Sequence, residues 1–218
     1  MSGYTGDVTP GGPAAVRELG GLRISKLSVG PMDNNAYLLR CSSDGTQVLI
    51  DAANDAGRLR TLIGPAGLTA VVTTHRHQDH TMALAEVVTA TGAQSLAHAD
   101  DAAEIPLVTG TVADGDTIAV GDCALSVIHI VGHTPGSIVL AYQDPAGTAH
   151  LFTGDSLFPG GVGNTRGNKK NFASLIDDVE HKIFGRFPDD TWFYPGHGKD
   201  STLGAERASL PQWRARGW

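Results

Sequence analysis

Cysteine is scarce in this chain of 218 residues, where only Cys41 and Cys123 occur, far apart in sequence. Two isolated thiols build neither a disulfide framework nor a cysteine-rich metal knot, and a reducing cytoplasmic setting is the expectation. Long hydrophobic runs are missing as well; no stretch approaches the roughly 18 apolar residues that a membrane span needs. Basic charge is in deficit, with 16 Lys and Arg against 23 Asp and Glu for a net charge of −7. That balance argues against an electrostatic grip on nucleic acid or on an anionic membrane, leaving a small molecule as the expected partner. The opening MSGYTGDVTPGGPAAVRELG has no basic stretch leading into an apolar core, so no secretory signal is expected. Repeats at solenoid periods and low-complexity tracts are also lacking.

What remains is the composition of an ordinary globular protein, 41% hydrophobic and 18% charged. Glycine is abundant, with 28 residues spread along the chain, which suggests many tight turns between short elements. Residues 1–20 carry little apolar patterning and read as a loose lead-in, with a single domain over 21–218. Strands are expected at Leu22–Val29, Ala36–Cys41, Gln47–Ile50, Leu68–Thr74, Leu125–Val131, Ser137–Tyr142, His150–Thr153 and Trp192–Tyr194. Helices are expected at Arg58–Ile63, Thr81–Thr89 and Phe172–Phe184. The last places Phe172, Leu175, Ile176, Val179 and Ile183 on one face, with Asn171 as its N-cap. Strands and helices interleave without strict alternation, which favours layered mixed α/β architecture, sheets covered by helices.

Histidine carries the chemistry. Of the nine, three fall with an aspartate inside six residues, His75-Arg76-His77-Gln78-Asp79-His80. On an extended segment residues i and i+2 share a face, so His75 and His77 can reach one ion together. A turn toward the following helix then aims Asp79 and His80 at a second point nearby. Imidazole and carboxylate suit zinc, iron or manganese, and the lack of cysteine removes the strongest pointer to zinc alone. Three further candidates each follow an expected strand: His133 in VGHTPGS, Asp155 in TGDS and His197 in YPGHG. Asp155 taken singly also fits an ordinary turn residue. Together, five histidines and two aspartates are too many for one tetrahedral ion and suit two ions sharing a carboxylate.

HRHQDH, GHTPGS, TGDSLF and YPGHG, in that order, resemble the metallo-β-lactamase superfamily, and within it the glyoxalase II-like hydrolases. The resemblance runs from about Leu22 to Trp218. It implies an αββα sandwich, two mixed β-sheets flanked by helices with a metal cleft at one edge. By motif, His75, His77 and His133 would hold a first metal, Asp79, His80 and His197 a second, and Asp155 would bridge them. Zinc is the metal implied first, with iron or manganese as alternatives. Asp51, in LIDAA, matches an aspartate that steadies a ligand from behind, and it also fits a turn. The implied reaction is hydrolysis of a thioester of the hydroxyacylglutathione type by hydroxide generated at the metals, with Asp79 orienting the attack. A lactone or another ester is the alternative substrate, and a mononuclear iron dioxygenase acting on persulfides is a more distant one.

Departures sharpen the expectation. Zinc β-lactamases lack the bridging aspartate, and the flavodiiron branch has glutamate where His77 stands here. Glyoxalase II carries a GGCGR/K segment after the bridging aspartate, which appears here as Gly160-Gly161-Val162-Gly163-Asn164. Asn164 thus replaces a basic substrate-binding side chain. Arg166, Lys169 and Lys170 follow, either binding an anionic substrate group or forming a solvated loop. Trp213 and Trp218 either cap the cleft or pack against the domain.

Overall fold

A computed structural model describes residues 3–217. The first sheet comprises β1 (Ala15–Glu18), β2 (Leu22–Val29), β3 (Asn34–Cys41), β4 (Gln47–Ile50), β5 (Ala70–Val72), β6 (Gln94–His98) and β7 (Gly110–Val112), in that spatial order. Its first four strands pair antiparallel and β4 to β7 run parallel. The second sheet draws on β8 (Thr117–Val120), β9 (Cys123–His129), β10 (Ile138–Gln143) and β11 (Ala149–Gly154). After a small hairpin of β12 (Leu157–Phe158) and β13 (Gly161–Val162), β14 (Trp192–Pro195) and β15 (Ser201–Thr202) complete it in the order β15-β14-β11-β10-β9-β8.

Alternation along the strands explains the layering. In β3, Tyr37, Leu39 and Cys41 point into the core between the sheets, while Ala36 and Leu38 point to the outer face. That outer face is covered by α1 (Ala56–Ile63) and α2 (Leu84–Thr91), through Leu59, Ile63, Leu84 and Val87. A short α3 (Ala99–Ala102) follows β6. The far face of the second sheet buries Ile128, Val139 and Leu151 against α4 (Lys169–Asp178) and the turns after it. The result is helices, two mixed sheets and helices, the αββα arrangement expected.

The last expected helix shifts at both ends for physical reasons. The helix expected over Phe172–Phe184 starts at Lys169, because Asn168 rather than Asn171 caps it, its side-chain oxygen accepting from the Lys170 and Asn171 amides. After Asp178 the backbone widens into a π-helical stretch, Val179–Phe184, which keeps Val179 and Ile183 buried. The chain then closes with α5 (Leu203–Arg207) and α6 (Leu210–Arg216). In α6, Trp213 packs edge-on to Phe184 in the core; Trp218 lies outside the described residues.

The segment expected as a loose lead-in is instead anchored, by polar contacts as well as by packing of Tyr4, Ala14 and Leu19 against the core. Val16 pairs with Ser25 as β1 adds to the sheet edge. Lys26, fully buried, donates to the Gly6 carbonyl at 2.9 Å, the Gly198 carbonyl at 2.7 Å and Asp200 Oδ1 at 2.7 Å. Tyr4 donates to the other oxygen of Asp200 at 2.8 Å. Hydrophobic patterning cannot reveal the polar anchors, and the apolar ones are too sparse to form a periodic pattern.

The strands share a polarity that matters for the site. β4 and β5 run parallel in one sheet, β9 and β11 point the same way in the other, and β14 runs parallel to β11. Their carboxyl ends lie along one edge of the sandwich, where loops from both sheets converge.

Candidate metal centre

The candidate metal ligands and Asp51 each sit just beyond a strand end on that edge. Asp51 follows β4, His75 to His80 follow β5, His133 follows β9, Asp155 follows β11 and His197 follows β14. The segment Gln78–His80 forms a single 3₁₀ turn after an extended His77, which swings Asp79 and His80 away from the His75 and His77 pair. Two clusters result: His75, His77, His133 and Asp155 offer donor atoms within 4.8 Å of one another, and so do Asp79, His80 and His197.

Asp155 joins the two. Its Oδ2 lies 3.5 Å from His133 Nε2, 3.9 Å from His75 Nε2 and 3.6 Å from His197 Nε2, while Oδ1 lies 3.4 Å from His80 Nε2. His75 Nε2 and His77 Nδ1 are 3.0 Å apart, and His197 Nε2 is 3.2 Å from Asp79 Oδ2. Glycine makes this closeness possible: a Cβ on Gly196 would strike Asp155 Oδ1 and the His80 ring.

Partners behind the rings aim them inward. His80 Nδ1 is 2.8 Å from Asp51 Oδ2, and the same oxygen accepts from the Thr74 hydroxyl at 2.8 Å. Thr74 Oγ1 in turn lies 3.0 Å from His75 Nδ1. One carboxylate therefore orients two imidazoles, one directly and one through a hydroxyl. Asp51 takes a left-handed backbone (φ 56°) to present itself there, and its Oδ1 accepts the Thr74 amide at 2.8 Å. His133 Nδ1 is 2.9 Å from the Asn164 carbonyl and His197 Nδ1 is 2.9 Å from the Met32 carbonyl. With these Nδ1 atoms donating, each ring in its neutral form keeps an Nε2 lone pair directed at the centre.

Electrostatics divides the histidines. Burial lowers the His75 imidazole well below the usual range and takes His133 down to about 4, so both stay neutral at pH 7. Burial also opposes a charge on His80 and His197, yet Asp51 and Asp155 outweigh it at His80 and Asp155 does so at His197, raising both. Burial lifts the Asp155 carboxyl, but the facing imidazoles of His197, His80 and His75 hold it well below the carboxylate range. At Asp79 the same opposition is won by the His80 charge and the Asn34 hydrogen bond, and the carboxyl is lowered.

Donor chemistry and burial fit a pair of divalent cations. His133 Nε2 and Asp155 Oδ1 are buried with no hydrogen-bond partner, an expensive condition for two polar atoms in so dense a cluster. Nitrogen and carboxylate donors facing such atoms are the ligand set that zinc, iron or manganese takes.

Some contributors carried no sequence signal. Asn34, at the start of β3, donates to Asp79 Oδ2 at 2.9 Å, and two backbone carbonyls hold ligand rings. A cleft of about 700 Å³ opens beside His77, lined by Arg76, Gln78, Met82, Glu104 and Arg166 among others. Of the loop candidates, only Arg166 reaches it. Asn164 is spent on its own loop, its side-chain oxygen accepting the Arg166 amide at 2.6 Å. Lys169 and Lys170 lie exposed in the first turn of α4. A further group, His98, Asp100 and His129, lies apart from this centre, with the two imidazoles stacked at 3.8 Å.

Comparison with known proteins agrees with this geometry. The pattern of the metallo-beta-lactamase superfamily matches residues 29–207. A hydroxyacylglutathione hydrolase of Fuscovulum blasticum is 39% identical over 132 residues, 60% of this chain and 51% of that protein. The chain spans roughly half to three-fifths of the length of the first such relatives it matches. Among solved structures, TTHA1623 in a di-iron-bound form is 31% identical with a TM-score of 0.69, covering 86% of this chain and 98% of that one. ETHE1 from Myxococcus xanthus is 26% identical with a TM-score of 0.77, covering 88% and 84%.

Proposed function

Because this chain belongs to the metallo-β-lactamase superfamily, we propose that its edge-of-sandwich cluster binds two divalent cations and hydrolyses a thioester of the hydroxyacylglutathione type. The observation that carries this reading is Asp155, whose two oxygens face the imidazoles of both clusters while Oδ1 lacks any hydrogen bond. In this reading His75, His77 and His133 hold one cation, Asp79, His80 and His197 the other, and Asp155 both.

Two such cations, when bound, supply hydroxide near neutral pH and polarise a carbonyl oxygen. The chain's own groups do the rest. Asp79, ionised at neutral pH and fixed by Asn34, accepts a hydrogen bond from the attacking water and orients it toward the carbonyl. Asp51 and Thr74 hold His80 and His75 in the tautomers that leave their inner nitrogens free. A thiolate leaves without needing a proton, so the reaction requires no separate general acid.

The hydroxyacylglutathione hydrolase name of the relative supports the thioester, and its partial overlap leaves the thiol to be found by experiment. A mononuclear iron dioxygenase acting on a persulfide would use one cluster alone. The closure of the second, with His197 Nε2 within 3.2 Å of both Asp79 Oδ2 and His80 Nε2, favours the dinuclear hydrolase. The likeness to a di-iron-bound protein keeps iron beside zinc as the cation.

The test is hydrolysis of S-lactoylglutathione by zinc-loaded and iron-loaded protein, with Asp155→Ala as control. Turnover that disappears in the variant supports the reading. Zinc- and iron-loaded proteins that leave this thioester intact but open a lactone would move the assignment to the lactonase alternative.

A further inference from the structure

The two cysteines are far apart in sequence, yet they share one corner of the sandwich, at the end opposite the metal edge. Cys41 closes β3, whose first residue, Asn34, reaches Asp79 in the metal centre. Cys123 opens β9, whose far end leads to His133. The two turns that carry them interlock. The Ser43 hydroxyl donates to Asp122 Oδ2 at 2.7 Å, and a Cβ on Gly121 would strike the Asp44 carboxylate. The Gly21 carbonyl, beside the residue that pairs with Cys41, accepts from the Ser42 amide at 3.0 Å and from the Cys123 thiol at 3.1 Å. A Cβ on Gly21 would crowd that thiol and the Tyr142 hydroxyl, so glycine lets the second sheet close onto the first here. Both cysteines belong to one core cluster between the sheets, and Cys41 acts directly on the Cys123 thiol.

Their surroundings give the two thiols different tasks. Cys41 is 1% exposed, and its sulfur lies 3.1 Å from the Ser43 hydroxyl. That hydroxyl, with the backbone amides of Ser43, Asp44 and Asp122, lowers the thiol from its usual range against the effect of burial. Cys123 is only partly buried and lines a cleft of about 470 Å³ with Ser126, Tyr142, Arg186 and Phe187. A small reagent therefore reaches Cys123 first. Cys41, shielded from that reagent and favoured as a thiolate, has the neighbouring sulfur as its target.

We propose that Cys41 and Cys123 are a redox-active pair that closes, on meeting a low-molecular-weight disulfide, into a reversible disulfide stapling one sheet to the other. The Cys123 thiolate attacks one sulfur of the reagent, whose S–S bond breaks, leaving a mixed disulfide on Cys123 and releasing one thiolate. The Cys41 thiolate then attacks the Cys123 sulfur, and the bond to the reagent breaks to release the second. Two protein thiols are oxidised, the reagent disulfide is reduced to two thiols, and the two protons given up by the cysteines pass to them. No step uses the metals or the hydrolysed substrate, so this inference stands apart from the hydrolase reading.

The experiment treats the full-length, metal-loaded protein with bis(2-hydroxyethyl) disulfide, quenches with N-ethylmaleimide, and measures intact mass and cross-linked peptides. The wild type is expected to lose both free thiols without keeping a reagent adduct and to yield a peptide joining Cys41 to Cys123. Dithiothreitol should restore both thiols. The oxidised protein should melt at least about 5 °C higher than the reduced one, because the bond closes a long loop of the unfolded chain. Cys41→Ser should stop at a stable adduct on Cys123. Cys123→Ser should react at least about tenfold more slowly than the wild type, since its remaining thiol is buried. A wild type that accumulates the adduct on Cys123 while Cys41 stays free, or that cross-links between chains, would overturn the proposal. Two thiols that stay unreacted until the protein is denatured would overturn it as well. Should either serine variant fail to fold, the wild-type masses and the mapped peptide decide alone.

Discussion

His150 shows how one buried ring outside the metal centre sets a pH limit. It is 1% exposed, its Nδ1 lies 3.0 Å from the Tyr194 hydroxyl, and its Nε2 has no partner. Burial, helped by the Arg17 charge, lowers it from 6.5 to about 4. Below pH 6.5 the unfolded chain takes up a proton that the folded one refuses, so this contribution is full above pH 6.5 and is lost as the pH falls toward 4. The loss amounts to roughly 3 kcal/mol for a shift of this size. Denaturant midpoints recorded from pH 7 to pH 4 should therefore fall steeply in the wild type and less steeply in His150→Gln. Parallel curves would remove His150 from the explanation. At the centre itself, Asp155→Ala should leave a folded protein that retains less metal and turns over at least about 100-fold more slowly, since lost supporting contacts alone reach that scale. Metal analysis beside circular dichroism separates this from unfolding.

Among the elements, the strand ends do most to place the site, and their legibility in sequence is uneven. HRHQDH was readable because four metal-competent side chains crowd one turn. His133, Asp155 and His197 were readable only as strand-following loop residues, and the parallel course of β9, β11 and β14 is what brings them together. The carbonyls of Met32 and Asn164 were not readable, because a backbone oxygen leaves no trace in residue type. The cleft was equally hidden: Arg76, Met82, Glu104 and Arg166 meet only through packing of distant segments. The π-helical stretch after α4 escaped for a different reason, since the apolar spacing there fits an ordinary helix. The cap of α4 offers a direct check at this scale. Asn168→Ala removes the one oxygen that accepts from two amides and should cost about 1 kcal/mol in thermal or urea unfolding. Asn171→Ala should cost much less, reversing the order that the sequence suggests.

Across the whole molecule, the two sheets are joined at the site edge by more than hydrophobic contact. Asn35 donates its amide to the Gly196 carbonyl at 2.7 Å and its side chain to Pro195 and Gly198, each at 2.9 Å. Lys26 reaches from the first sheet to Gly198 and Asp200, the loop that carries His197. Removing one partner of a fully buried ion pair strands the other charge, which costs on the order of 3–5 kcal/mol. Lys26→Met should therefore unfold far more readily than the wild type, while Lys26→Met with Asp200→Leu should recover much of the loss. A double variant no better than the single one would show that the hydrogen bonds to Gly6 and Gly198 matter more than the charge pairing. Among the described residues no helix is long and apolar enough to cross a membrane.

The claim on which the rest depends is that two cation positions adjoin across Asp155. Metal content per chain, measured by inductively coupled plasma mass spectrometry after zinc or iron loading and removal of free metal, tests it most directly. Two ions per chain in the wild type, falling to one in His197→Ala, is the predicted result. A single ion in the wild type that His197→Ala leaves in place would contradict the account.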